Sequence, residues 1–472
     1  MTASSNASAR HVVVIGAGPA GYVCAIRLAQ LGQRVTVVEK DYLGGTCLNV
    51  GCIPSKALIA AGALMERIHE ATTMGITVEG VKLDLARLVA WKGEIVNKLT
   101  SGVGGLLKNH KVEHIAGTGR IHDARSVKVM TAGGEKTVPC DDIVLATGSV
   151  PLAIPGFDFD QKRVWSSTEA LAPDRIPQHL LVIGGGYIGL ELGFLYKKLG
   201  SQVTVVEFTE GALPGQDRDC VRVIERSLKQ SGIKLITKTA AKSYEAQGSK
   251  LFVKLDSEGK ADTLECDQIL CTVGRKPYSD GLGLDKVGLK VDARGFLPVD
   301  KRMRTSVANV YAIGDLAGQP MLAHKGSKEG LVAAAVIAGQ KDEYDARCVP
   351  AVIFTSPEMA SVGLLEEDAK RQGREIVVGQ FPFAANGRAL SLLEGDGFVK
   401  VVADAKTDEV LGVHMVGPEV TELIAEATLA IEMGATSEDL ARTIHAHPTL
   451  PEAVMEAAEA VHKLAVHIFQ RK

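Results

Sequence analysis

The chain has 472 residues, enough for roughly three domains of ordinary size. Its 53 basic and 56 acidic side chains leave a net charge of −3, and only 4% of residues are aromatic. Without a basic stripe or stacking platforms, no nucleic acid partner is expected.

Apolar residues make up 46%, yet no unbroken run of about 18 occurs, so no membrane span is expected. The opening MTASSNASAR lacks the apolar core of a signal peptide. Eight cysteines in this length are too few for a disulfide scaffold and suit a reducing, cytoplasmic setting.

The first predicted unit is strand, Gly-rich turn, helix, strand: HVVVIGAGPAG at 11–21, then RVTVVE at 34–39. Apolar runs such as Val12 to Ile15 suit strands buried on both faces of a parallel sheet. Gly16 permits the tight turn, Gly18 lets backbone approach a pyrophosphate, and Gly21 allows close helix–strand packing. The helix N-terminus faces the phosphates, and Glu39 can accept hydrogen bonds from a ribose diol.

Soon afterwards comes GGTCLNVGCIPSK at 44–56, with Cys47 and Cys52 five residues apart. A regular helix separates such residues by about 7.5 Å, while bridged Cα atoms lie within about 6.8 Å. A disulfide here needs a distorted segment, for which Gly51 and Pro54 offer freedom and a break. Two unpaired thiols, or half of a zinc site, are the competing readings. No second Cys or His pair with finger-like spacing follows, so no metal is expected.

The second unit repeats the first: HLLVIGGGYIG at 179–189, then QVTVVE at 202–207. Every matched position lies 168 residues on, without insertion. Gly184, Gly186, Gly189 and Glu207 take the places of Gly16, Gly18, Gly21 and Glu39. Glu207 favours a free 2′-OH over a 2′-phosphate, hence NAD over NADP. Two such units predict two dinucleotides and an α/β fold with two Rossmann-like domains.

Near the C-terminus, His447 directly precedes Pro448, and Glu452 follows five positions later. Glu452 can fix the imidazole tautomer while the other ring nitrogen takes a proton from a thiol. Thr449 and Glu452 also read as a capping box, with Pro451 in the first helical turn. His445 competes with His447 for the role of base. The run from Glu422 to Met433 has a helical apolar face.

Together with LATGS at 145–149, TVGRK at 272–276, AIGD at 312–315 and HAHPT at 445–449, these motifs resemble the flavin- and disulfide-dependent pyridine nucleotide oxidoreductases. Within them the resemblance is to the branch that oxidises dihydrolipoamide, and it covers essentially the whole chain. It implies FAD in the first unit and NAD in the second. Asp315, on the turn at Gly314, would face the FAD ribityl chain, with Ala323 and His324 following. Gly119 would pass near the adenine end, and Gly274 would belong to the NAD site. Lys56 and Glu191 would form a pair beside the flavin, and Glu191 would also count among the residues of the NAD site. Cys47 would be the interchange thiol and Cys52 the thiolate against the flavin. His447 would act as base across a homodimer interface, oriented by Glu452.

The implied activity is oxidation of protein-bound dihydrolipoamide through a Cys47–Cys52 disulfide and FAD, with reduction of NAD+. The implied partners are the lipoyl domains and acyltransferase core of 2-oxoacid dehydrogenase complexes, and the H protein of glycine cleavage. Glutathione reduction is opposed by Gly189 and Glu207, and a purely structural role in a complex by the intact cysteine pair. The expected layout is an FAD domain at 1–150, an NAD domain at 151–275, a segment returning to the FAD domain at 276–350, and an α+β dimerisation domain at 351–472.

Overall fold

The computed structural model describes residues 9–470; the reading of the first eight residues as free of a signal peptide lies outside the described residues. Strand His11–Ile15 is almost wholly buried and pairs in parallel with Arg34–Glu39 and Asp142–Leu145. With Glu113–Ala116 at one edge and Val310–Ala312 at the other, these make a five-stranded sheet. The late strand Val310–Ala312 thus belongs to the first unit. Helix Ala323–Ile337 follows it and packs on Pro19–Gln30. That contact needs Gly330, where a Cβ would sit 2.6 Å from Ala20 O.

The second sheet runs Lys234–Ile236, Gln202–Val206, His179–Ile183, Gln268–Cys271 and Val164–Trp165. Its central register, His179 opposite Gln202, is that of His11 opposite Arg34, shifted by the same 168 residues. The repeat extends to side chains: His11 Nε2 meets Thr36 Oγ1 at 2.9 Å, and His179 Nε2 meets Thr204 Oγ1 at 2.9 Å. Each unit also carries a three-stranded antiparallel ribbon, Thr118–Pro139 in the first and Thr239–Cys266 in the second.

Burial of the apolar strands holds each unit together; removing a fully buried side chain such as Leu28 or Leu181 costs about 2–5 kcal/mol. The C-terminal sheet is antiparallel, in the order Ala351–Ile353, Glu358–Gly363, Val410–Gly417, Phe398–Asp404, Ile376–Pro382. Helices Val420–Met433 and Glu452–Val461 pack on it. The first buries Ile424, Ala427 and Ile431, but leaves Leu429 and Met433 exposed. Its apolar stripe is therefore wider than its own domain covers.

The helical stretch Gly45–Met74 is long and apolar enough, by composition, to cross a membrane. The continuous-run criterion passes over it because polar residues interrupt the apolar ones. It is broken at Gly51 and packs against helices Leu85–Asn109 and Tyr187–Lys198, with Leu48 and Leu58 buried while Leu64 stays exposed.

Candidate active site

In the first unit, Gly18 is the N-cap of helix Pro19–Gln30, with no capping side chain and no acidic residue in the first turn. The free N–H groups of that turn suit a pyrophosphate. Gly16 sits at φ +105°, and a Cβ on Gly21 would lie 2.0 Å from Gly16 O. Glu39 accepts the Ala17 N–H at 2.7 Å on one oxygen and the Asp41 N–H at 2.8 Å on the other. Gly16, Gly18, Glu39, Cys47, Cys52, Lys56, Gly314, Asp315 and Ala323 all line one cavity. A groove of unpaired amides ending at a carboxylate fits FAD, with the cysteine pair in the same space.

Gly21 stands behind this lining, as its packing role requires. Gly119 also lies off it: a Cβ there would be 3.1 Å from Val38 Cγ1, so that glycine seats the ribbon on the sheet. His324 turns away from the cavity and bonds Pro350 O at 2.8 Å.

The turn at Gly314 is held from both sides. Ser149 Oγ donates to Asp315 at 2.5 Å, and Arg275 donates to Ser149 Oγ and O at 2.8 and 2.7 Å. Behind it, buried Glu329 accepts the Gly314 N–H at 2.7 Å and pairs with Lys325 at 2.8 Å. The sequence alone assigns no role to Ser149, Arg275, Lys325 or Glu329. Ser149 and Arg275 stand in the LATGS and TVGRK motifs, whereas Glu329 reads as an ordinary helix-surface residue.

Helix Gly45–Val50 ends at Gly51, whose φ −144° and ψ −115° are not helical, and Cys52 starts the next helix. The break is thus at Gly51 alone; Pro54 sits in the first turn of that helix, where its missing N–H costs nothing. Cys47 and Cys52 both line that cavity, and as a pair of thiols they share a hydrogen bond. That bond and burial push Cys47 up. The same bond, with the Lys56 ammonium, holds Cys52 below its ordinary value against its burial. Lys56 Nζ lies 2.7 Å from Glu191 Oε2, and the other Glu191 oxygen accepts the Phe354 N–H at 2.9 Å.

The second cavity is lined by Gly184, Gly186, Glu207 and Gly274. Glu207 repeats Glu39, accepting the N–H groups of Gly185 at 2.6 Å and Thr209 at 2.7 Å. Gly186 is again an N-cap without a capping side chain. Gly189 packs behind, where a Cβ would be 2.1 Å from Gly184 O. Glu191, expected both in the pair with Lys56 and among the NAD residues, lines the first cavity and not the second. One helical turn beyond the Gly-rich turn, it has rotated toward Lys56. Tyr187, Ile188, Arg275, Met321 and Leu322 line both cavities and form a shared wall.

Among the described residues, no histidine lines either cavity. His447 is 80% exposed, with Nδ1 2.9 Å from Glu452 Oε1. The second Glu452 oxygen accepts the Thr449 N–H at 2.8 Å. That bond and the imidazole together outweigh burial and keep this carboxyl below its usual range. The capping box is only half formed, because Thr449 Oγ1 donates to Ala446 O and Pro451, not Thr449, is the N-cap. His445 is 5% exposed and bound to Glu426 at 2.8 Å, so the two histidines do not share an open face.

Residues 10–330 match the pyridine nucleotide-disulphide oxidoreductase family, and residues 349–458 match its dimerisation domain. The chain is 50% identical over 463 residues to the dihydrolipoyl dehydrogenase of Thermus scotoductus, covering 98% of this chain and 99% of that one. It is 48% identical to that of Bacillus subtilis over 97% of both chains. Among solved structures, LpdA from Mycobacterium tuberculosis matches with a TM-score of 0.90 at 30% identity, over 95% of this chain and 99% of that one. The HOCl-induced flavoprotein disulfide reductase RclA from Escherichia coli matches at 0.85 and 28%, over 95% and 99%. Similar along its whole length to these proteins, the chain belongs to the pyridine nucleotide-disulphide oxidoreductase family and uses FAD and NAD.

Proposed function

We propose that this chain oxidises dihydrolipoyl groups carried on partner proteins and reduces NAD+, through Cys47, Cys52 and FAD. One observation carries the reading. Cys47, Cys52 and Lys56 share a cavity with the Gly16–Gly18 turn, and that cavity shares a wall with the one holding Gly184 and Glu207. Thiol, flavin and nicotinamide chemistry therefore have adjoining spaces.

In the oxidised enzyme Cys47 and Cys52 form a disulfide. A dihydrolipoyl thiolate attacks Cys47, and Cys52 leaves as the thiolate. The second dihydrolipoyl thiol then displaces Cys47, so the substrate departs as the cyclic disulfide and the enzyme holds the electron pair. Lys56 stabilises the Cys52 thiolate. Bound FAD supplies the two-electron relay from the thiol pair to the nicotinamide.

His447 takes the substrate proton. Exposed on its own chain, it serves the cysteine pair of a second copy in a homodimer, with Glu452 holding its Nδ1. The dihydrolipoyl carriers are the lipoyl domains of 2-oxoacid dehydrogenase complexes, docked on their acyltransferase core, or the H protein of glycine cleavage, in a reducing cytoplasm.

The test is the initial rate of NADH formation from NAD+ and dihydrolipoamide by the yellow protein, with NADP+ as control. NAD+-selective turnover is expected. An FAD-loaded protein without turnover overturns the reading.

A further inference from the structure

Outside both cavities, one lysine of the C-terminal sheet reaches into the second nucleotide unit. Lys400, on strand Phe398–Asp404, is 2% exposed. Its ammonium bonds Asp217 at 2.9 and 3.1 Å, Glu366 at 3.1 Å, and Asp219. Asp217, Asp219 and Glu366 are close enough together to hold a metal ion, and the ammonium stands among them. His414, opposite Lys400 in the sheet register, is buried, which favours its neutral form.

Asp217 has a second task. It is the N-cap of helix Arg218–Gln230 and accepts the N–H groups of Asp219 and Cys220, both at 3.1 Å. Lys400 and those amides outweigh burial and keep its carboxyl ionised. Asp217 directly follows the turn Leu213–Gln216, which the Gln216 N–H closes by donating to Leu213 O at 3.2 Å. That turn is constrained: Leu213 has φ +48° and Gly215 φ +81°. The Leu213 N–H donates to Gly185 O at 2.9 Å, inside the second Gly-rich turn, and Pro214 and Gln216 line the second cavity. A continuous line of contacts thus runs from Lys400 through Asp217 and this turn to the phosphate-binding loop.

We propose that Lys400 is a positioning residue for the NAD site, by which the C-terminal domain fixes the Leu213–Gln216 turn against Gly185 and so sets affinity for the dinucleotide. The inference rests on the second cavity taking NAD. A neutral group at position 400 leaves Asp217 buried without its cation, so the turn shifts toward water. Lys400 touches neither cavity, so the thiol and flavin side should not feel the change.

The experiment is calorimetric titration of FAD-loaded Lys400→Met dimer with NAD+, beside the parent protein and beside KM values for NAD+ and dihydrolipoamide. About a tenfold weaker Kd and a matching rise in KM for NAD+ are expected, with KM for dihydrolipoamide and the flavin spectrum unchanged. Equal NAD+ affinity in parent and variant overturns the inference, and so does a parallel rise of both KM values. A parent protein that binds no NAD+ overturns instead the assignment of the cavity. If Lys400→Met does not fold, Asp219→Asn is titrated in its place. A two- to threefold weaker Kd then supports the inference, and an unchanged one overturns it.

Discussion

Lys56 donates to Glu191 across 2.7 Å and so ties the helix that begins at Cys52 to the helix that opens the second nucleotide site. The pair leaves the Lys56 charge close enough to Cys52 to favour its thiolate. Lys56→Met is therefore expected to raise the Cys52 pKa and to slow its alkylation at pH 7. Alkylation rate against pH, in the reduced enzyme, reads the shift directly. Cys47→Ala should raise the Cys52 pKa as well, whereas Cys47→Ser keeps a hydroxyl donor and should raise it less. Reduced Cys52→Ser should lose the long-wavelength charge-transfer absorption with FAD, and Cys47→Ser should retain it.

His447→Gln is expected to slow the dihydrolipoamide half-reaction by about 10²–10⁴-fold, the usual range for a lost general base. Electron transfer from NADH to an artificial acceptor needs no proton from a dithiol and should stay within about twofold. Stopped-flow reduction of the flavin by each substrate separates the two. Equal slowing of both would assign His447 a structural part only.

The duplicated glycines allow a matched comparison. Gly21→Ala places a Cβ 2.0 Å from Gly16 O, and Gly189→Ala places one 2.1 Å from Gly184 O. Each forces helix from strand at a cost of about 1–3 kcal/mol. Gly189→Ala should remain yellow yet bind NAD+ more than tenfold weaker by calorimetry. Gly21→Ala should lose FAD, measured as flavin absorbance per chain.

His445 supplies a pH signature. Its bond to Glu426 raises its pKa above the usual value of about 6.5. A raised folded-state value adds stability that is fully present below about 6.5 and fades as pH climbs through the folded value. The Tm gap between the parent and His445→Gln should accordingly be largest near pH 6 and shrink toward pH 9. Differential scanning calorimetry across that range tests it; a gap that grows with pH contradicts the ion pair.

Short-range patterns carried most of what could be read in advance. Gly16, Gly18 and Glu39 lie within 24 residues of one another, and their copies at 184, 186 and 207 announce themselves by spacing alone. The cysteine pair is equally local. What stayed hidden joins distant parts of the chain. Ser149 reaches Asp315 across 166 positions, and Lys400 reaches Asp217 across 183. Ser149 and Asp315 stand in motifs of their own, but nothing in either motif says that the two meet, and nothing around Lys400 sets it apart from a surface lysine. Glu191 illustrates the limit within a motif: it stands on the helix of the second Gly-rich turn, yet it faces Lys56 and lines the first cavity. Likewise His445 and His447 look equivalent in HAHPT until Glu426 claims the first and Glu452 the second.

The wall of Tyr187, Ile188, Arg275, Met321 and Leu322 separates the two cavities while belonging to both. Dithiol and nicotinamide thus never need to be present together. Each can arrive, exchange its electron pair and depart through its own doorway. Steady-state plots at several fixed concentrations of one substrate should consequently be parallel lines, the kinetic mark of a courier that hands over at one counter before calling at the next.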